Sequence, residues 1–323
     1  MALTVLARLR TLRQEVLGLN RRNHDFGIAL NAPHLVALVD NKRATKEALA
    51  TLEVPTPQSF TTLRTTNDLQ HLADVVSDHT SFVMKPTRGA GGEGIVVIVD
   101  RKGSEFIKAS GEKLRLQDLQ TQAAEILSGA YALSQAYDEV LIEERLEMHP
   151  ALSPFAFRGV PDVRVLVAYG VPLLAMIRLP TKRSDGRANL HLGGLGVGLD
   201  LRTGRAVYAI WNERPLDAHP DTKAPLPKLV VPHWHELLHV AATCFDCIRL
   251  GYFGVDLVVD PKRGPCVLEL NARPGLGIQL ANHVGLRPLL TKLVASPLPA
   301  AATAADRVAF GLDLYRHCVA TSE

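Results

Sequence analysis

Three oxygen-bearing side chains lie in the last third of the chain at spacings that would let them act together. Asp256 lies in the apolar segment GVDLVVD, and Glu269 and Asn271 lie in VLELN. Both segments alternate like β-strands, so Glu269 and Asn271 share a face and a hairpin can bring Asp256 opposite them. Apolar residues at the intervening positions already define the buried side, which disfavours a merely solvated face. Carboxylate and amide oxygens without His or Cys predict Mg²⁺ bound to nucleotide phosphates.

The glycine-rich segment RGAGGEGI is a second candidate, with four glycines between Gly89 and Gly94. Glycines let the backbone approach a ligand and expose N–H groups to oxyanions. The segment fits neither the dinucleotide fingerprint nor the P-loop, and alone it is more typical of a plain hairpin turn. Lys85 ends the preceding strand SFVMKP, and a lysine there favours phosphate binding because it can act as a point charge.

A third candidate is the basic connection SDGRANLHLGG, which follows the strand VPLLAMIRL. Arg187 and His191 lie on this connection, and Arg164 and Arg178 lie on the preceding strands. A phosphoryl group in transfer needs cations around its equatorial oxygens, so these residues could surround it. An exposed basic loop is an equally good interpretation of this segment alone.

The elements around these residues alternate between segregated strands and helices, which predicts an α+β architecture. SFVMKP, the glycine turn and GIVVIVD predict a β-hairpin. Helices are predicted over ATKEALATL, NDLQHLADVV and LQDLQTQAAEIL, near Pro232, and over the C-terminal AADRVAFGLDLYRHCVA. The N-terminal MALTVLARLRTLRQEVLGL predicts a helix docked on its own domain.

The composition is typical of a globular protein, with 47% apolar and 21% charged residues. The net charge of +3, with Lys and Arg dispersed, gives no support for a nucleic-acid partner. No segment approaches the roughly 20 apolar residues of a membrane span. Arg8, Arg10 and Arg13 interrupt the N-terminal apolar face and disfavour a signal peptide. These features predict a cytoplasmic protein.

Two short motifs suggest other chemistry. His235 to His239 satisfies the zinc-protease pattern HExxH, but no third ligand follows at a familiar spacing. Cys244 and Cys247 form a single CxxC in a segment typical of a buried helix. We interpret the first as a chance match and the second as two free thiols.

The order of the motifs resembles the RimK-related alpha-L-glutamate ligase-like proteins of the ATP-grasp superfamily. The matching features are Lys42 before a helix, Lys85 before RGAGGEGI, the strand IEERL, and then PDVRV, GRANLHLGG, GVD and LELNARPG. The resemblance covers residues 20–292 and is most specific from 161 to 275. It implies the ATP-grasp fold, in which two α+β subdomains grip ATP.

The resemblance also implies a role for each matching residue. Nucleotide contacts would come from Lys42 and Lys85 at the phosphates, Gly89, Gly91, Gly92 and Gly94 as a mobile lid, Glu143, Glu144 and Leu146 at adenine, and Glu147 at the ribose. The metal ligands would be Asp256, Glu269 and Asn271. The reacting phosphate would meet Arg187, Asn189 and Arg164, and the substrate would meet Arg273 and His191.

The implied activity is that of an ATP-dependent ligase that forms an amide through an acyl phosphate. The cofactors would be ATP and two Mg²⁺ ions, with Mn²⁺ as an alternative. The partners would be a carboxylate, with glutamate suggested by the family, and an amine on an amino acid, a peptide or a protein terminus. An ATP-grasp kinase and a non-catalytic nucleotide-binding module remain alternatives, and a homo-oligomer is left open.

The motif order divides the chain into four segments. We predict an N-terminal helix and loop (1–39), a first ATP-grasp subdomain with the lid (40–145), a second with the metal site (146–295), and a linker and helix (296–323). Many ATP-grasp enzymes carry a separate α/β domain first. The 39 residues before Asp40 predict that a full domain of this kind is missing here.

Overall fold

The computed structural model describes residues 13–89, 91–132 and 137–319, and these residues build two antiparallel sheets. The smaller sheet has the strand order β1-β6-β2-β3-β4-β5. Its strands are β1 Ser59–Leu63, β2 Phe82–Pro86, β3 Val96–Lys102, β4 Glu105–Lys108, β5 Lys113–Leu114 and β6 Val140–Glu143. The predicted N-terminal helix falls largely on residues 1–12, outside the described residues.

The larger sheet has the order β11-β10-β9-β8-β7-β12-β13. Its strands are β7 Asp162–Ala168, β8 Val171–Leu179, β9 Leu195–Leu199, β10 Ala206–Trp211, β11 Arg214–Pro215, β12 Tyr252–Asp260 and β13 Gly264–Asn271. Strands β7, β8 and β12 are buried along their whole length. Both faces of the sheet centre are therefore covered, which explains why these strands are nearly continuous apolar runs.

Helices cover the sheets and connect them. They are α1 Leu19–Arg21, α2 Pro33–Val39, α3 Lys42–Ala50, α4 Leu72–Ser77, α5 Leu116–Leu127, α6 Trp234–Ile248, α7 Gly277–Asn282, α8 Leu286–Ala295 and α9 Ala304–Val319. A π-helical turn, Arg22–Ile28, follows α1 directly. Shorter 3-10 turns span Thr66–His71, Pro150–Phe155, Leu190–Leu192 and Leu226–Lys228.

Each sheet has its own apolar core. In the smaller unit, Phe82 and Met84 of β2 share a cluster with Leu119 and Ile126 of α5. The larger core contains most buried residues of β7 to β13 together with α6, and α9 packs on β8 and α6. Two separate cores allow each unit to hold its own half of a site.

Helix α3 belongs to the larger core although its sequence precedes the smaller sheet. It packs against β13 and α6, and Leu49 lies in the larger core cluster. The predicted subdomain boundary at Asp40 therefore differs from the core packing, which begins the smaller unit near β1. The four-segment division stays a prediction.

The α+β architecture and the β2–β3 hairpin are confirmed. The predicted helix over NDLQHLADVV is divided between a 3-10 turn and α4, and Thr65 and Asp68 form a capping box at its start. The predicted helix near Pro232 is confirmed as α6, which begins at Trp234 after His233 in a left-handed backbone conformation. None of the helices described is both long enough and apolar enough to span a membrane.

Candidate functional site

The two C-terminal strands of the larger sheet bring the three predicted metal ligands to one face. In the β12–β13 ladder Asp256 lies opposite Glu269, and Asn271 lies opposite Gly254. A register shift follows Asp256. Directly opposed residues project to the same side of a sheet, so Asp256, Glu269 and Asn271 share one face, as their spacing in the sequence predicts.

Asp256 is buried in ion pairs with two arginines from neighbouring strands. Arg164 donates from Nε and Nη2 to the two oxygens at 2.7 and 2.6 Å, and Arg178 donates from Nη2 to Oδ2 at 2.7 Å. Burial opposes ionisation, but the two guanidinium charges outweigh it and lower the pKa of Asp256 to about 2. The carboxylate is therefore neutralised by arginine in this structure, and its predicted role as a metal ligand stays a prediction.

Asp162 completes this buried cluster. Arg178 donates from Nε and Nη2 to its two oxygens, the second at 2.7 Å. Burial raises the pKa of Asp162 to about 6 against the opposing charge of Arg178. Two carboxylates and two guanidinium groups balance each other, which is the condition under which charges can be buried. The guanidinium of Arg164, predicted to be catalytic, is engaged with Asp256.

Lys42 links the glycine-rich loop to the metal-candidate face. Its Nζ donates to the carbonyl oxygen of Gly89 at 2.7 Å and lies 3.6 Å from Oε2 of Glu269. Its backbone N–H donates to the carbonyl of Thr87 at 2.9 Å. The first residue of α3 therefore contacts both sides of the predicted phosphate site.

Lys85 and Lys46 share one buried carboxylate, that of Glu143. Lys85 Nζ is paired with Oε1, and Lys46 Nζ donates to Oε2 at 2.7 Å. Burial lowers the pKa of Lys46, although the charge of Glu143 opposes the shift. The side chain of Glu143, predicted to contact adenine, thus acts as an internal counter-ion. Lys46 was missed, and its position one helical turn after Lys42 is the signal that could have found it.

The predicted adenine and ribose segment crosses from one sheet to the other. The N–H of Glu144 donates to Gln58 at 2.8 Å, and its carboxylate accepts from Arg263, in the β12–β13 turn, at 2.8 Å. Leu146 packs in a small cluster with residues of β12 and β13. Glu147 is exposed. The segment thus lies at the junction of the two units, as an interdomain contact to a nucleotide requires.

The glycine-rich loop needs glycine for different reasons at different positions. Gly91, Gly92 and Gly94 have positive φ angles, a conformation that costs L side chains energy. At Gly89 a Cβ atom would lie 2.3 Å from Cγ of Pro86. Buried Asp138 anchors the entrance of the loop, because it accepts from the N–H of Arg88 at 3.0 Å. This contact was not predicted from the sequence.

Asn189 contacts the glycine-rich loop from the larger sheet. Its Nδ2 donates to the carbonyl of Gly91 at 2.8 Å, while its Oδ1 accepts from the N–H of His191 at 2.9 Å. Arg187 and His191 lie exposed on the same connection. Of this predicted group, the structure brings Asn189 into contact with the loop.

Arg273, the predicted substrate-carboxylate contact, is an exposed residue next to the metal-candidate strand. Its Nη2 pairs with Asp40 at 2.6 Å, and its N–H donates to Oδ1 of Asn271 at 2.9 Å. The guanidinium lies at the surface, where an incoming anion can compete with Asp40.

The donor set fits a magnesium ion in its chemistry. Glu269 keeps a 39% exposed carboxylate, and Asn271 adds an amide oxygen on the same face. Hard oxygen ligands of this kind suit Mg²⁺. In residues 13–89, 91–132 and 137–319, no three His, Cys, Asp or Glu side chains cluster as metal ligands.

The HExxH and CxxC motifs both lie on α6. His235 and His239 are exposed on that helix. Cys244 and Cys247 are free, and buried Cys244 donates its S–H to the carbonyl of Val240. Burial raises the pKa of both thiols, so they are poor nucleophiles.

The family model described as "Sugar-transfer associated ATP-grasp" matches residues 21–295, which is most of the chain. The chain belongs to this ATP-grasp family. The predicted membership of the ATP-grasp superfamily is therefore confirmed, and the two-sheet architecture is the fold of an ATP-grasp protein.

Individual relatives of this ATP-grasp protein are more distant. A probable alpha-L-glutamate ligase of Sodalis glossinidius (strain morsitans) is 32% identical over 141 residues, which are 43% of this chain and 36% of that protein. The chain thus spans about a third of the length of this curated relative.

Two solved structures illustrate the likeness. The ATP-grasp ligase PsnB, complexed with a minimal precursor, is 19% identical, with 82% of this chain and 63% of that chain covered and a TM-score of 0.43. The VanG D-Ala:D-Ser ligase of Enterococcus faecalis is 13% identical, with 86% and 62% covered and a TM-score of 0.46.

Proposed function

We propose that this ATP-grasp protein is an ATP- and Mg²⁺-dependent carboxylate–amine ligase that forms an amide through an acyl phosphate. The observation that carries the proposal is the position of Lys42. Its ammonium group joins the glycine-rich loop at Gly89 to the half-exposed carboxylate of Glu269. A cation between backbone donors and an oxygen-ligand face is the arrangement that a nucleotide triphosphate and its metal ion require.

The chain would hold ATP between its two units. Lys42 and Lys85 would contact the phosphates, and the glycine-rich loop would cover them. The segment from Glu143 to Leu146 would contact adenine and Glu147 the ribose. Glu269 and Asn271, joined by Asp256 if it exchanges its arginine partners, would hold Mg²⁺. The metal ion would neutralise charge on the phosphate oxygens.

In the first step a carboxylate oxygen attacks the γ-phosphorus of ATP. A new P–O bond forms, the bond to the β-phosphate oxygen breaks, and ADP leaves with its electron pair. Two anions must meet for this, so Lys42, Lys85 and Arg187 would offset their repulsion, and Asn189 would keep the loop closed over them. Arg164 would act from beneath this site, through its ion pair with Asp256.

In the second step an amine nitrogen attacks the acyl carbon. The C–N bond forms, inorganic phosphate leaves, and the amine loses a proton to solvent. Arg273 and His191, both exposed, would bind the substrates. Glutamate is the first carboxylic acid to test, and the acceptor would be an amino acid, a peptide or a protein terminus.

The direct test is ADP release with ATP, Mg²⁺ and a panel of amino acids and short peptides, with products identified by mass spectrometry. We expect ADP release to depend on both an acid and an amine, and an amide product to accumulate. ADP formed with a phosphorylated hydroxyl product and no amide would instead identify a kinase.

A matched pair of variants tests the metal-candidate face. Glu269→Gln should lower ADP release at least about 100-fold, because it removes a charge from the phosphate–metal site. Glu236→Gln removes the same charge from an exposed position on α6 and should leave the rate unchanged. The same variant also tests the zinc-protease interpretation of HExxH, in which Glu236 would be the essential general base. Near-normal turnover of Glu269→Gln contradicts the proposed site.

A further inference from the structure

The π-helical turn and the residues after it lie against the start of β12. The side chain of Asn31 donates to the carbonyl of Tyr252 at 2.7 Å and accepts from its N–H at 3.0 Å. The rings of Phe26 and Tyr252 are 5.6 Å apart. A Cβ atom at Gly251 would lie 2.7 Å from Leu30, so the segment packs closely against the start of the strand.

Tyr252 shares a sheet face with the predicted metal site. Tyr252, Gly254 and Asp256 occupy alternate positions of β12, so their side chains project to the same side. A Cβ atom at Gly254 would lie 3.0 Å from Pro274 and 3.7 Å from Nε of Arg164. Pro274 therefore lies on this face between Tyr252 and the arginine–aspartate cluster.

Two polar atoms at this end of the face are buried without a partner. Among the described residues, neither Oη of Tyr252 nor Nε of Arg22 has a hydrogen-bond partner. Tyr252 is 0% exposed and Arg22 is 7% exposed. Within the described residues, the side chain of Arg22 donates from Nη1 to the carbonyl of Pro274 at 3.2 Å. Buried polar groups normally have hydrogen-bond partners, so the absence of an acceptor for these two donors needs an explanation.

A second arginine, Arg273, lies near the pair. Burial lowers the pKa of Arg22, with nearby Tyr252 opposing the shift and the positive charge of Arg273 adding to it. Arg22 and Arg273 are thus close enough to repel each other. Burial raises the pKa of Tyr252, so its phenol stays protonated and can donate at neutral pH.

We propose that Arg22 and Tyr252, with Arg273 at the surface, form a subsite that binds the non-reacting carboxylate of the substrate. The proposal rests on the proposed ligase function and deepens it. A carboxylate presents two coplanar oxygens, one for the guanidinium and one for the phenol, so it would satisfy both buried donors at once. Next to Pro274, a Cβ atom at Gly275 would meet nothing, so the chain beside the pair borders open space.

The test compares glutarate with butyrate, its monocarboxylate match, by calorimetric titration in the presence of ADP and Mg²⁺. The wild-type protein should bind glutarate more tightly than butyrate. Tyr252→Phe should weaken glutarate binding about tenfold, because a hydrogen bond to a charged group is lost, and should leave butyrate unaffected. Arg22→Met should weaken glutarate binding by at least the same factor.

Thermal melting without ligand separates this role from a structural one. Tyr252→Phe removes a hydroxyl that has no partner, so it should keep or raise the melting temperature. Tyr315→Phe is the matched control, because it removes a hydroxyl from a buried tyrosine on α9, outside the proposed subsite. It should leave glutarate binding unchanged.

Two results overturn the subsite: wild-type protein that binds glutarate no better than butyrate, or Tyr252→Phe that binds it normally. Neither Arg22 nor Tyr252 belongs to the proposed site for ATP and Mg²⁺, so the affinity for ATP should not depend on them. If that affinity is intact while the glutarate result fails, only the subsite is wrong. If ATP does not bind at all, the proposed function fails with it.

Discussion

Glu143 is the residue on which two of the candidate site's cations depend. Its buried carboxylate pairs with both Lys85 and Lys46. Glu143→Gln leaves the ammonium groups of buried Lys85 and partly buried Lys46 without a counter-ion, so we expect the free energy of unfolding to fall by about 3 kcal/mol. Urea denaturation measures the change.

The matched control is Glu147→Gln, four residues further along the same segment and exposed. It should change the free energy of unfolding by less than about 0.5 kcal/mol. Equal unfolding midpoints for the two variants would show that the two lysines do not rely on Glu143.

Some of these residue contacts follow from the sequence and others do not. Period-2 spacing was enough to predict that Glu269 and Asn271 share a face and that Asp256 lies opposite them. The pairing of Arg164 and Arg178 with Asp256 could not be predicted, because it depends on the register of β7 and β8 against β12. That register is set by packing of the whole sheet rather than by any local pattern.

At the scale of elements, the glycine-rich loop requires glycine for two reasons: the backbone conformation and the space available for a Cβ atom. Gly91 and Gly94 both have positive φ angles, at which alanine is strained by about 1 kcal/mol. At Gly94 a Cβ atom would also lie 2.6 Å from the ring of Tyr131, whereas at Gly91 it would meet nothing. Gly94→Ala should therefore lower the melting temperature more than Gly91→Ala.

Thermal melting and ATP affinity should be measured together for these two variants. Gly91→Ala is expected to weaken ATP binding with little loss of stability, since Gly91 lies on the open side of the loop. If Gly94→Ala melts no lower than Gly91→Ala, the loop is not packed against Tyr131 as described.

The elements themselves were largely predictable, and their arrangement was not. Alternation and turn residues predicted the β2–β3 hairpin, because its pairing is local. The insertion of β6 between β1 and β2 joins strands far apart in sequence, and no local pattern encodes it.

At the scale of the whole molecule, the site is shared between two units with separate cores. Helix α3 packs in the larger core, yet its lysines reach Gly89 and Glu143 of the smaller unit. The sequence predicted a helix here but placed it in the smaller unit, because an amphipathic pattern marks the buried face and does not say which sheet covers it. Lys42 therefore couples the two units at the predicted phosphates.

The most direct test of the account is the affinity of the purified protein for ATP, measured by calorimetry with Mg²⁺ and with a chelator. We predict binding that requires Mg²⁺ and that Lys42→Met weakens at least about tenfold, since it removes a charge from the phosphate site. Lys113→Met, at an exposed position of the smaller sheet, should bind as the wild type does. ATP binding that is absent, or equal with and without Mg²⁺, would contradict the account.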